Sequence, residues 1–195
     1  DLYCISALDA NRAWVGTGDG RIFCTLNGGT TWTLQAYPGR QSPFINGIRI
    51  FEDGTGYAQG DPPGDAKFVV LKTTDFGGTW AHLVNEPQGT SGEAGWNNSF
   101  WWTDTSHGWF GTNHGKVWRT TDAGVSWNTA STGATNSFGV SFRDASTGYA
   151  IHDGGYVARS TNGGQSWSAL PSVTTDNIAA VGAPAGTSSA WFVTA

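Results

Sequence analysis

Short runs of β-branched, aromatic and other apolar residues alternate with Gly-rich polar segments along the whole chain. Runs of this length between turn residues predict β-strands. Four such strands recur as a unit over residues 2–34, 44–84, 97–129 and 137–170, and a tail over 177–194 supplies two more. Within each unit an aromatic strand, a Gly-rich turn and a further strand follow in order. Trp14-Val-Gly-Thr-Gly-Asp-Gly20-Arg-Ile-Phe and Trp109-Phe-Gly-Thr-Asn-His-Gly115-Lys-Val-Trp show the plan most clearly. Tyr149 opens a third copy, and Tyr57 a fourth with a longer turn. Trp191 holds the same place in the tail. The segments Phe51-Glu-Asp53, Trp102-Thr-Asp104 and Phe142-Arg-Asp144 recur one step earlier and fix the register of three units.

A fixed eight-residue phrase closes each of the four units. It reads [Ser/Thr]-x-[Asp/Asn]-x-Gly-x-[Ser/Thr]-Trp and places Asn27, Asp75, Asp122 and Asn162 at spacings of 48, 47 and 40 residues. A period of about 40–50 residues points to a propeller or array. The phrase has a direct physical reading. A short Asp or Asn side chain accepts hydrogen bonds from backbone N–H groups a few residues on. The Gly two positions later supplies a positive φ. The tryptophans, Trp32, Trp80, Trp127 and Trp167, then bury a large ring beneath the hairpin. The four Asp/Asn residues are therefore expected to be structural, and the recurrent aromatics to be core.

The phrase and its flanking strands resemble the Asp-box, or BNR repeat, of sialidases, some glycoside hydrolases, sortilin-type receptors and propeller-type photosystem II assembly factors. Over essentially the whole chain the unit is most similar to secreted bacterial propellers related to those assembly factors. The resemblance implies an all-β propeller of four-stranded antiparallel blades, about 4.5 of them here. From the strand count the chain is expected to be part of a larger, seven-bladed propeller, or one completed by another chain, with a compact five-bladed monomer as the alternative. The resemblance further implies a ligand face formed by the turns between strands two and three and by the blade connections, with the repeat turns at the other end.

Composition narrows the classes of function. Charged residues are 13% of the chain, Gly numbers 29 and Trp 11, and the net charge is −5. With lysines only at 67, 72 and 116, no basic stripe exists to neutralise phosphates, which argues against nucleic acid. No apolar run approaches the ~18 residues of a membrane span. Ser/Thr/Asn/Gly richness suits an exported protein, extracellular or at the cell surface. Cys4 and Cys24 fall on the first and third strands of one blade. A two-strand gap is near 10 Å, beyond the ~7 Å reach of a disulfide, so buried thiols are expected.

Candidate chemistry lies on the presumed ligand face. Asp61, Asp65, Glu93 and Asp153 are the acids from which a glycosidase pair, about 5–10 Å apart, would be drawn; solvated loop acids are the plainer reading. A sialidase would need an Arg-Ile-Pro motif, and Arg49-Ile50-Phe51 lacks the Pro. His114 and His152 occupy equivalent turns and offer a ligand or metal pair, although isolated surface histidines are the simpler expectation. Arg40 lies in a blade connection. Trp96, after the long connection 85–95, is the best candidate for an exposed ring that stacks on a sugar or anchors a protein partner. No cofactor or metal is expected. The function expected is a non-catalytic binding scaffold for a protein or glycan. A glycan-active hydrolase is the alternative, and a structural surface or filament component associating through open blade edges is a third class.

Overall fold

The computed structural model describes residues 1–137, 139–172 and 174–194. Apart from one 3-10 turn at Asp153–Gly155, all of its regular structure is β-strand. Blade 1 comprises β1 (Leu2–Ala7), β2 (Ala13–Thr17), β3 (Ile22–Thr25) and β4 (Thr33–Gln35). Blade 2 comprises β5 (Ile45–Ile50), β6 (Gly56–Gly60), β7 (Val69–Thr73) and β8 (Ala81–His82). Blade 3 holds β9 (Gly95–Trp102), β10 (Gly108–Thr112), β11 (Lys116–Thr120) and β12 (Asn128–Ser131). Blade 4 holds β13 (Gly139–Phe142), β14 (Gly148–Ile151), β15 (Val157–Ser160) and β16 (Ser168–Ala169), and β17 (Ile178–Gly182) with β18 (Trp191–Thr194) forms a two-stranded fifth sheet. Each four-stranded sheet is an antiparallel meander in sequence order. The chain divides into two compact units, Asp1–Glu93 with blades 1 and 2, and Ala94–Ala195 with the remainder.

Every repeat phrase forms the turn between the third and fourth strands of its blade. The acid or amide oxygen accepts the N–H of the residue four positions on, at 2.9 Å for Thr31, 2.8 Å for Thr79, 2.9 Å for Ser126 and 3.0 Å for Ser166. The leading hydroxyl accepts the N–H of the glycine, from Gly29, Gly77, Gly124 and Gly164 at 2.8–2.9 Å. Those four glycines have φ between 80° and 87°. The residue before each glycine is also left-handed, and in two blades it is not glycine: Phe76 at φ 57° and Ala123 at φ 60°. That conformation costs an L-residue about 1–2 kcal/mol. It persists because the backbone N–H of that residue is held in every blade. Its N–H donates to the turn between strands one and two, as Gly28 to Asn11, Phe76 to Gly54, Ala123 to Ser106 and Gly163 to Ser146.

The core of each unit lies between successive blades. In the first unit Trp14, Ile22 and Cys24 of blade 1 pack on Ile48, Ala58, Leu71 and Trp80 of blade 2. The second has two such layers, Trp109 and Val117 against Val140, Phe142 and Ala150, then Tyr149, Ile151 and Val157 against Ile178, Val181 and Phe192. Strand-two tryptophans also bond across these layers. The Trp14 indole donates to the Phe76 carbonyl at 3.1 Å, and the Trp109 indole to the Gly163 carbonyl at 2.8 Å. The repeat turn is thus an acceptor for the preceding blade as well as a staple for its own.

One expectation changes. Trp32 is exposed whereas Trp80, its counterpart, is buried, because a blade covers the face on which Trp80 lies. The phrase alone does not bury its ring. The cysteines are free thiols, as the strand order requires, since β2 separates the strands that carry them. Burial pushes the Cys4 thiol up to about 12.

Candidate functional site

The turns between strands two and three and the blade connections lie at the ends of the strands away from the repeat turns, and they carry the candidate residues. In the first unit they converge on Glu86, which is buried in the connection after β8. Its Oε1 accepts the Val70 N–H at 2.8 Å and pairs with His82 Nδ1 at 2.7 Å. Its Oε2 accepts from Arg40 Nη2 at 2.7 Å, with Lys67 Nζ at 3.8 Å. Arg40 also donates to Asp65 at 3.0 Å and to the carbonyls of Lys67 and Phe68. The local cause is the shortness of β8. Its ladder pairs only Leu71 with His82 and Lys72 with Ala81, and the Leu83 N–H adds one bond to the Val70 carbonyl. The Val70 N–H is left over at the strand edge, and a carboxylate folded back from the connection takes it. The Arg40 guanidinium, the Lys67 ammonium and the His82 ring then surround that carboxylate.

Around this latch the other acids are also engaged. Asp61 Oδ1 accepts from the Asn46 amide at 2.7 Å, and Glu93 accepts the N–H and hydroxyl of Thr90 at 3.0 and 2.9 Å. The structure brings Arg40 and Asp65 together. It gives Asp61 and Glu93 separate partners. His82 and Lys67 complete the cluster, and neither stood out in the sequence. The one available signal was His82 itself, a titratable residue at the strand-four position held by Leu34, Thr129 and Ala169 in the other blades.

In the second unit His152 is buried rather than at the surface. Its Nδ1 donates to the Asn136 carbonyl, its ring meets Tyr156 edge-on at 5.1 Å, and burial lowers its pKa to about 4. It is a neutral, packed side chain. Asp153 is exposed in the 3-10 turn and accepts from the Asn136 amide at 3.4 Å. His114 is exposed in the turn between β10 and β11. Trp96 lies within β9 rather than before it, about one-third exposed. Among the described residues no group of three or more His, Cys, Asp or Glu is placed to hold a metal ion. No helix is long and apolar enough to cross a membrane.

The fold class is that of a β-propeller, built from four-stranded antiparallel blades. The chain is similar to the structure described as YCF48 bound to D1 peptide, at 20% identity and TM-score 0.68, over 93% of this chain and 58% of that one. It is similar to YCF48 from Cyanidioschyzon merolae at 18% identity and TM-score 0.62, over 93% and 63% of the two chains. A GH74 enzyme from Niastella koreensis matches at 19% identity and TM-score 0.60, over 93% of this chain and 25% of that one. The chain therefore spans less than two-thirds of the length of these structures. No family model and no curated protein sequence matches it.

Proposed function

We propose that the chain is a non-catalytic binding module that takes an extended segment of a protein partner on the loop ends of its blades. The observation that carries this reading is the engagement of the acids there. Asp61, Asp65, Glu86, Glu93 and Asp153 each accept from a neighbouring side chain or backbone N–H. A general acid and base acting across a sugar need one carboxyl free to give a proton and one free to take it. Carboxylates spent on Arg40, Thr90 and Val70 serve rigidity instead, and a rigid loop platform favours binding by lowering the ordering cost. The neighbour with a bound D1 peptide supports a peptide as ligand. The composition, poor in lysine and rich in Ser, Thr, Asn and Gly, supports export, which fractionation of the producing cells would test.

The rival reading, a glycan-active hydrolase, draws support from the GH74 neighbour. Peptide arrays and glycan arrays probed with the purified chain, followed by reducing-sugar assays on any glycan bound, separate the two. The expected result is saturable peptide binding without release of sugar. Turnover that Asp65→Asn or Glu93→Gln abolishes would overturn the binding reading.

A further inference from the structure

The turn between strands two and three of blade 4, residues 152–156, holds both neighbouring blade connections, and a buried histidine is one of the fastenings. The residue after the last pair of the ladder between strands two and three is Thr17 in blade 1, Thr112 in blade 3 and His152 in blade 4. The threonine hydroxyls bond inside their own turns, accepting the Arg21 N–H at 2.9 Å and the His114 N–H at 3.3 Å. His152 instead reaches out of its turn, and its Nδ1 donates to the Asn136 carbonyl in the connection from blade 3. Beside that bond the Asn136 amide donates to Asp153 Oδ2 at 3.4 Å, and the Tyr156 hydroxyl to the Thr132 carbonyl at 3.1 Å. The connection from blade 4 to the fifth sheet is tied to the same turn. There the Gly154 N–H donates to Asn177 Oδ1 at 2.9 Å, and the Ser172 hydroxyl to the Gly155 carbonyl at 3.0 Å. Gly155, at φ 72°, lies so close that a Cβ on it would strike the Thr174 carbonyl.

His152 is 1% exposed, and its Nε2 is buried without a hydrogen-bond partner. In the neutral ring, with its proton on Nδ1, this leaves one acceptor unpaired. A proton added at Nε2 makes both nitrogens donors, and the second would carry charge toward no acceptor. The titratable and charged groups on the surrounding elements are Tyr149 of β14, Arg159 of β15, Asp153 and Tyr156 of the turn, Asp176 of the next connection, and His114 and Lys116 in the equivalent turn of blade 3. None of them bonds to Nε2. Residues 132–137, β13 and β17 carry no titratable side chain. From this geometry we infer that the turn is a proton-released clasp. While His152 is neutral it fastens the 132–137 connection to blade 4. A proton taken up at Nε2 turns the ring out to water, breaks the Nδ1 bond and frees that connection while the sheets stay paired. These segments lie at the loop ends, so acidity sets how rigidly that end of the second unit is held. The inference stands apart from the binding reading above.

Amide exchange followed residue by residue from neutral pH down to about 4.5 tests this in the parent and in His152→Gln, each rate divided by its intrinsic rate at that pH. The glutamine keeps a donor for the Asn136 carbonyl and has no proton to take up. The Ser137 N–H, which donates to the Thr112 carbonyl at 2.9 Å, reports on the connection. The Ala158 N–H, inside the β14–β15 ladder, reports on global unfolding. An opening coupled to one proton with an ordinary pKa of about 6.5 grows about tenfold per pH unit below that value. Ser137 exchange in the parent is therefore expected to gain about 100-fold by about pH 4.5. It should be unmoved by about 1 M urea, because a local opening exposes little surface. In His152→Gln it should stay level. Ala158 should exchange more slowly than Ser137 in both proteins and quicken with urea. A Ser137 rate that is level with pH in the parent would overturn the inference. So would one that matches Ala158 in rate and urea response, which marks global unfolding alone, or an equal gain in His152→Gln.

Discussion

At the residue scale the repeat turn shows why Asp and Asn exchange freely at one position. In the Asp copies the Thr79 and Ser126 hydroxyls donate to the second carboxylate oxygen, at 2.8 and 2.6 Å. In the Asn copies the proton runs the other way, from the amide to the Thr31 and Ser166 hydroxyls at 2.9 and 2.8 Å. A hydroxyl can both donate and accept, so the turn needs a planar two-headed side chain and no charge. Asp122→Asn should accordingly change stability by less than about 0.5 kcal/mol, within the range of neutral surface changes. Asp122→Ala should cost about 1–2 kcal/mol, because the Ser126 N–H and the Thr120 hydroxyl both lose their acceptor. Urea unfolding of the two variants beside the parent reads the difference. An equal loss in both would show that the charge itself matters.

At the element scale the blades were legible because everything that makes a blade is local. The phrase, the strand-two aromatic and the turn glycines lie within about 35 residues of one another and repeat, so periodicity exposed them. The left-handed residue before each glycine was less legible, since Phe76 and Ala123 hide among glycines at the same position. The latch on Glu86 was illegible for a different reason. It joins Arg40, Lys67, Val70 and His82 from separate segments, with Arg40 and Glu86 46 residues apart, and among the described residues it does not recur in another blade. Sequence placed Arg40 and Asp65 near the right end of the strands but could not pair them. Glu86→Ala should strip acceptors from Arg40, His82 and the Val70 N–H together, a loss of about 3–5 kcal/mol for breaking a buried charge pair. Glu86→Gln keeps the shape and should recover part of it. Amide exchange at Val70 is the local check: it should quicken in Glu86→Ala well beyond the change in global stability, and an unchanged rate would show that the latch does not hold that edge.

At the scale of the whole molecule these engaged side chains predict how folding depends on pH. Hydrogen bonds from the Thr79 N–H and from the Thr73 and Thr79 hydroxyls hold Asp75 below the usual carboxylate range. The Ser126 hydroxyl does most to lower Asp122, against partial burial, with help from the Ser126 N–H and the Thr120 hydroxyl. Asp9, Asp104 and Asp144 are lowered as well. A carboxylate lowered in the folded state contributes stability that is complete above its unfolded value, about 3.9, and lost as pH falls through the folded value. The Asp turns therefore act only below about pH 4, while the Asn turns of blades 1 and 4 do not titrate. His152 acts earlier. Burial lowers it to about 4 from an ordinary 6.5, so between those values the unfolded chain takes up a proton that the folded chain refuses. Stability should be level above about pH 6.5 and fall by on the order of 3 kcal/mol on the way to pH 4. It should then fall again as the aspartates protonate. His152→Gln has no proton to take up in the first window and keeps a group able to donate to the Asn136 carbonyl. Its stability should stay level down to about pH 4 and then decline alongside the parent. Urea unfolding at half-unit pH steps, with both proteins in the same buffers, distinguishes the windows. A parental curve that is level from pH 7 to 4.5 would show that His152 is not held neutral by burial.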